Sequence, residues 1–335
     1  MIRSGKKTLS AFSLIFLATA FIAVPTLARD LVKNNYASTE KLYSKILANS
    51  DHDEATLNLF VNLMPKGADL HHHFSGAIYA ETYLEWAKEQ GYCIYNTSQK
   101  EDGIFKYNVV TKPSELNERQ RKACLSVDAV QSDNQFYRDL LKTWSSKDYA
   151  NYYHLEAPPD KHFFDTFKYF TAISKVGYHV GLQQLKERAI AENLNYIETM
   201  LAAAPAIEDP FLLETLKNIS SKDSRGHIRQ ALEKALKHLE ENDQAQATLA
   251  EYIKKTEAAT DGVSDNSFRL RTIAYINRNA SPSKVFSGLY TAFNSALKSP
   301  AIVGVNIVGP ENNDIAMRDY DLHMQMLEFL KNKYP

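Results

Sequence analysis

The sequence predicts an α/β fold built on a parallel sheet, on three observations. Four short runs of β-forming residues alternate with longer segments whose apolar residues recur at helical spacing, the pattern of strand–helix units. The fourth run, Ala301 to Val308, is almost continuously apolar, as expected for a parallel strand covered on both sides. With 335 residues and 44% apolar content, the chain is long enough to bury a substantial core. Neither a P-loop nor a Gly-x-Gly-x-x-Gly motif occurs, and no internal repeat interrupts the alternation.

Taken in order, the N-terminus reads as an export segment over residues 1–28. Arg3, Lys6 and Lys7 form a basic start, an apolar stretch from about Leu9 to Val24 follows, and Thr26-Leu27-Ala28 offers small residues for cleavage. A membrane anchor is the competing reading, since the stretch is only slightly short of a ~20-residue span. Cleavage after Ala28 predicts a secreted or periplasmic protein with no stable membrane anchor. A helical segment is expected over 29–64, and the main domain over 65–335.

The first strand is expected near 66–72. A helix follows from about Ile78 to Gln90, with Tyr79, Tyr83, Trp86 and Ala87 at helical spacing and Gly91 as its stop. Residues 91–135 read as an irregular, charged insertion. Helices are expected over Asn134–Trp144 and from about Asp160 to Glu192, broken near Gly177. The second strand is placed near 194–200. A long excursion over 203–266 carries Ile228, Leu232, Ala235, Leu236 and Leu239 on one helical face. The third strand covers 268–276, and Ser281-Pro282 opens a helix bearing Val285, Leu289, Ala292, Phe293 and Ala296. After the fourth strand, a last helix runs from about Asp314 to Lys333.

Charge excludes one class of partner. The formal net charge is −1, so no global basic field supports nucleic-acid binding. Cys93 and Cys124 are the only two cysteines. In an oxidising compartment they are expected to form one disulfide, worth about 3–4 kcal/mol in the chain-entropy model. Two free thiols are the alternative, and a two-Cys metal site is disfavoured because no His or Cys lies close in sequence.

The most informative string is Met64-Pro65-Lys66-Gly67-Ala68-Asp69-Leu70-His71-His72-His73-Phe74-Ser75-Gly76. Side chains alternate along a strand, so His71 and His73 point one way and His72 the other. Two imidazoles one strand repeat apart can hold a divalent ion such as zinc. The alternative is a polar strand end with no metal.

Met-Pro-Lys-Gly-x-x-Leu-His-x-His-x-x-Gly resembles the first-strand signature of the adenosine deaminases, closest to their secreted, growth-factor-like branch and its bacterial relatives. These are metal-dependent amidohydrolases. Other segments are similar in order: His162 to Phe167, Leu194 to Glu198, Phe268 to Arg278, and Ile302 to Glu311. The resemblance covers residues ~55–335 and implies a (β/α)8 TIM-barrel fold with one Zn2+ at the C-terminal mouth. It also implies hydrolytic deamination of adenosine or 2′-deoxyadenosine to the inosine form plus ammonia.

By the same resemblance, His71 and His73 are metal ligands, Ser75 stands where many members carry an Asp contacting the ribose, and Gly309 lies against the purine, with a strand-to-loop turn as its alternative role. Met200 and Asn306 replace an Arg and an Asp, which puts those polar links in doubt. Glu198 and Arg278 are expected at strand ends facing the mouth, where an ion-pair role competes with substrate contact. Family members then carry a fifth strand with His-Ala-Gly-Glu, supplying a third ligand and the proton-shuttle Glu, and later strands with a further His and an Asp pair. This sequence contains none of these. The expectation is therefore a barrel truncated after about four βα units, with no catalytic shuttle, inactive unless a second chain completes it. A different metal-dependent amidohydrolase and a non-catalytic, nucleoside-binding remnant are the alternatives.

Overall fold

A computed structural model describes residues 33–49, 51, 53–95, 100–101, 104–105, 109–150 and 157–334. The export segment expected over 1–28 lies outside the described residues. Among the described residues, no helix is long and apolar enough to cross a membrane. The chain divides into two units at Met64/Pro65. In the first unit, helices span 33–48 and Glu54–Leu63. Asp53 caps the second, its carboxylate accepting from the Thr56 N–H at 3.1 Å, and Tyr43 stacks on Phe60 at 5.5 Å.

The second unit is built on four strands, β1 (Gly67–His73), β2 (Leu194–Met200), β3 (Arg269–Asn277) and β4 (Ile302–Val308). They are parallel and lie side by side in chain order, so each returns beside its predecessor after a helical crossover. The sheet is curled, a half-barrel of four βα units. The helices named below are α1 (Ala80–Glu89), α2 (Pro159–Ser174), α3 (Tyr178–Ala191), α4 (Arg225–Glu241), α5 (Asp243–Thr260), α6 (Pro282–Lys298) and α7 (Tyr320–Lys333).

Alternation along each strand decides where the core sits. Ile197 and Leu270 point into one cluster with Phe74, Tyr83, Trp86, Phe170 and Leu182. Ala274, Ile276 and Ile302 point into a second with Leu232, Leu236, Phe286, Leu289 and Met326. Helix α6 begins at Pro282, whose missing N–H costs nothing in the first turn. It lies close against β3: a Cβ at Gly288 would stand 2.6 Å from Ile276 Cγ2.

Several expectations are corrected. Tyr79 does not join the buried face of α1; it precedes the helix, 63% exposed, with the Arg188 guanidinium 4.6 Å above its ring. Residues 91–135 are not irregular throughout. Cys93–Tyr95 is the middle strand of a small antiparallel sheet between Val109–Thr111 and Cys124–Leu125. Strands of two or three residues are too short to carry a period-2 signal, yet Ile94 and Val110 are buried. Cys93 and Cys124 are joined in this sheet by a disulfide with Cα atoms 5.6 Å apart. The 203–266 excursion holds α5 and a short helix Pro210–Leu216 besides α4. The last helix is two, Asp314–Arg318 and α7, parted at Asp319. Nor is β4 covered on both sides: it is an edge of the sheet, and Val303 is 45% exposed.

Candidate metal-binding site

β1 ends at the C-terminal edge of the parallel sheet, where ligands of α/β proteins collect. Its register against β2 slips by one residue between Gly67 and Ala68 and is restored between Asp69 and His72. Asp69 stands opposite Ile197 and His72 opposite Thr199, so three steps along β1 match two along β2. This is a bulge with one extra residue. Within it, the Asp69 carboxylate accepts the His71 N–H at 3.0 Å, an Asx-type turn that satisfies a donor the ladder leaves over. His72 turns to the helix side, its Nδ1 2.8 Å from the hydroxyl of the fully buried Thr199.

His71 and His73 lie on the other side of the strand, with ring centroids 5.3 Å apart and planes at 64°. A metal about 2.0–2.1 Å from one nitrogen of each ring, at a tetrahedral angle, needs centroids about 5 Å apart. The pair therefore fits as two ligands of one ion. Burial lowers the His73 pKa below its ordinary value and the neighbouring His71 ring lowers it further, against a smaller opposing pull from Asp69. A lowered pKa keeps the imidazole neutral, the form that binds metal. Among the described residues, no group of three or more His, Cys, Asp or Glu side chains gathers as a metal cluster. Among the described residues, the candidate site is this pair of histidines.

The other residues singled out in the sequence fall around this pair to differing degrees. Ser75 sits in the short helix Phe74–Ala77 that follows β1, its carbonyl accepting from the Tyr83 hydroxyl at 2.9 Å. A Cβ at Gly76 would lie 3.5 Å from the Phe167 ring and 4.0 Å from His73 Cβ, which places α2 beside the metal pair. Along α2, Phe163, Phe167 and Phe170 form a ladder of edge-to-face contacts at 5.3 and 5.9 Å, and Phe163 is 47% exposed. Met200 is buried opposite His73, and its sulfur receives the Asn306 amide at 3.2 Å. The two residues in doubt thus contact each other.

The expected ion pair forms at Arg278, with Glu311; Glu198 takes part in a hydrogen bond. Glu198 accepts from the Tyr196 hydroxyl at 2.8 Å. Arg278, just past β3, binds Glu311 and the Ile307 carbonyl, each at 2.7 Å. Gly309 adopts φ +103°, and a Cβ there would meet Asn277 Oδ1 at 2.7 Å and Asn279 Nδ2 at 2.9 Å. Backbone conformation and crowding alone thus require glycine at the turn after β4.

Sequence reasoning missed the Asp69 and Thr199 contacts. An acidic residue two positions before a strand-end histidine is a usable turn signal; Thr199 had none, because its partner lies 127 residues away.

No family model matches the sequence, and none of the curated proteins does. Among solved structures, the chain is similar to Arabidopsis ADAL complexed with IMP, at 14% identity and a TM-score of 0.40, covering 82% of this chain and 57% of that one. It is also similar to the N6-methyl-AMP deaminase of Arabidopsis thaliana in its apo form, at 13% identity and TM-score 0.39, covering 82% and 57%. A third is an amidohydrolase from Burkholderia ambifaria with bound Zn, at 14% identity and TM-score 0.38, covering 82% and 51%. The chain spans little more than half the length of these structures.

Proposed function

We propose that this protein is an exported, deaminase-type member of the metal-dependent amidohydrolases, with a purine nucleoside as its ligand and zinc as its metal. The observation that carries this reading is the His71–His73 pair, set 5.3 Å apart at the C-terminal edge of a parallel sheet. The sequence motif around the pair points the same way, and adenosine or 2′-deoxyadenosine is the substrate it suggests.

In this reading each residue has a defined task. His71 and His73 would hold the ion through neutral ring nitrogens. Zinc, when bound, lowers the pKa of a coordinated water toward 7, which makes hydroxide available at neutral pH. The reading assigns the Ser75 hydroxyl to a sugar oxygen and the Gly309 N–H to a ring nitrogen of the base. Phe163 and Phe167 supply an apolar wall. Among the described residues, no third His, Cys, Asp or Glu gathers with the pair to complete a metal centre.

That shortage favours a second reading, a nucleoside-binding half that requires other residues for turnover. The sheet leaves room for them. Its two edges are β1 and β4, and each carries an exposed apolar residue, Leu70 at 60% and Val303 at 45%. A second chain adding parallel strands there would close a barrel and remove both edges.

Zinc titration and an inosine assay test the proposal together. The purified chain is expected to bind zinc, to lose that binding on His71→Ala, and to release no inosine above background by itself. Metal binding unchanged in His71→Ala would overturn the assignment of the pair. Turnover by the chain alone, abolished in His71→Ala, would overturn the half-site reading.

A further inference from the structure

We infer that Asp69, His72 and Thr199 are positioning residues for the metal pair, because they hold the bulge that turns both ligands to the open side of the sheet. The inference rests on the metal-binding reading of His71 and His73. It starts from register. Side-chain period in a strand is 2, so a slip of one residue exchanges the faces.

Asp69 stands opposite Ile197, which points into the core. Between Gly67 and Ala68 the strand has already slipped by one residue against β2; continued from Asp69 in that slipped register, the ladder would set His71 opposite Thr199 and His72 opposite Met200. His71 and His73 would then turn toward the packed helices, and His72 alone would face the open side. The extra residue undoes that slip and restores the register in which the strand begins at Gly67 opposite Leu194: His72 meets Thr199 and His73 meets Met200.

Two contacts hold that arrangement, one on each side of the inserted residue. The Asp69 carboxylate takes the His71 N–H at 3.0 Å. The His72 ring engages the Thr199 hydroxyl at 2.8 Å, and Thr199 is fully buried. The His72 Nδ1 donates to or accepts from that hydroxyl according to the ring's tautomer. His72 thus has a defined task although it cannot reach the metal.

Cobalt titration of the full chain tests this, using the visible d–d bands of bound Co2+ as the readout and a chelator competition for affinity. Thr199→Val and Asp69→Ala are each expected to weaken Co2+ binding about ten- to a hundredfold and to change the band shape, as loss of groups that orient ligands does. Asp69→Asn keeps the accepting oxygen and is expected to restore wild-type affinity and spectrum. Asp69 lies on an edge strand, so its two variants keep the test decisive if the buried Thr199→Val unfolds. His71→Ala is the control that abolishes binding. Wild-type spectra and affinity in both Thr199→Val and Asp69→Ala, with binding lost in His71→Ala, would overturn the positioning role and leave the metal site standing. No Co2+ binding by the wild-type chain would overturn the metal reading itself, and the inference with it.

Discussion

The two faces of the sheet belong to the same four strands but are made by different physics. On the helix side, Ile197, Thr199, Leu270, Thr272, Ala274 and Ile276 are all at most 4% exposed. On the other side, Tyr196, Glu198, Arg271, Tyr275 and Asn306 are half-buried, and His71 and His73 are exposed. One face is a hydrocarbon interior closed by α3, α5 and α6; the other is lined mainly by polar residues, with Met200 and Ile273 buried among them. Stability is concentrated on one set of alternate residues and chemistry on the other. Substitutions on the two faces should therefore separate folding from metal binding.

The largest expected effect is on the helix side. Leu289 of α6 is fully buried in the second core cluster, and Leu289→Ala should cost about 2–5 kcal/mol, transfer and cavity terms together. His73→Ala on the open side should change stability by no more than about 0.5 kcal/mol, as for an exposed residue without a packing role, while lowering metal affinity. Denaturant titrations of the two variants measure both. Similar destabilisation in the two would mean that the open face carries packing energy too, and the contrast would fail.

Gly309 sharpens the comparison at the rim, where the faces meet. Its φ of +103° disfavours any residue with a Cβ, and Asn277 cannot simply withdraw, since its side-chain oxygen accepts the Asn279 N–H at 2.8 Å. Gly309→Ala is expected to cost about 1–3 kcal/mol, the range for a residue forced into a sparsely populated backbone region. A thermal melt within error of wild type would show that the turn relaxes freely.

Much of this was legible in the sequence, and what was not has physical reasons. The strands carry long apolar or β-branched runs, so their positions could be read to within a residue or two. The His71–His73 pairing followed from alternation alone. Three things could not be read. The bulge in β1 depends on a partner strand more than a hundred residues away. The short strands around the disulfide leave no periodic trace. The exposure of Val303 reflects its edge position, which composition cannot distinguish from a covered strand. Tyr79 misled because it keeps the helical spacing to Tyr83 although the helix begins one residue later, at Ala80.

The smallest expected effect concerns pH, and it lies under the helix side. His323 of α7 is 1% exposed, and its Nε2 is buried without a hydrogen-bond partner. Burial lowers its pKa from the ordinary 6.5; Asp319 opposes that shift, while Arg278 and Arg318 add to it. In the window just below 6.5 the unfolded chain binds a proton here that the folded chain does not. Stability from this residue is therefore fully present above that pH and declines as the pH falls through the window. His72 and His73 have lowered values as well, so the loss in the wild-type chain is shared among them. Comparing denaturation midpoints near pH 7.5 and about pH 5.5 in wild type and His323→Leu isolates the buried ring. The variant should lose less stability on acidification than the wild type does. Equal losses would mean that the α7 interior admits a charged imidazole at no cost, and that the helix side is less dry than its packing indicates.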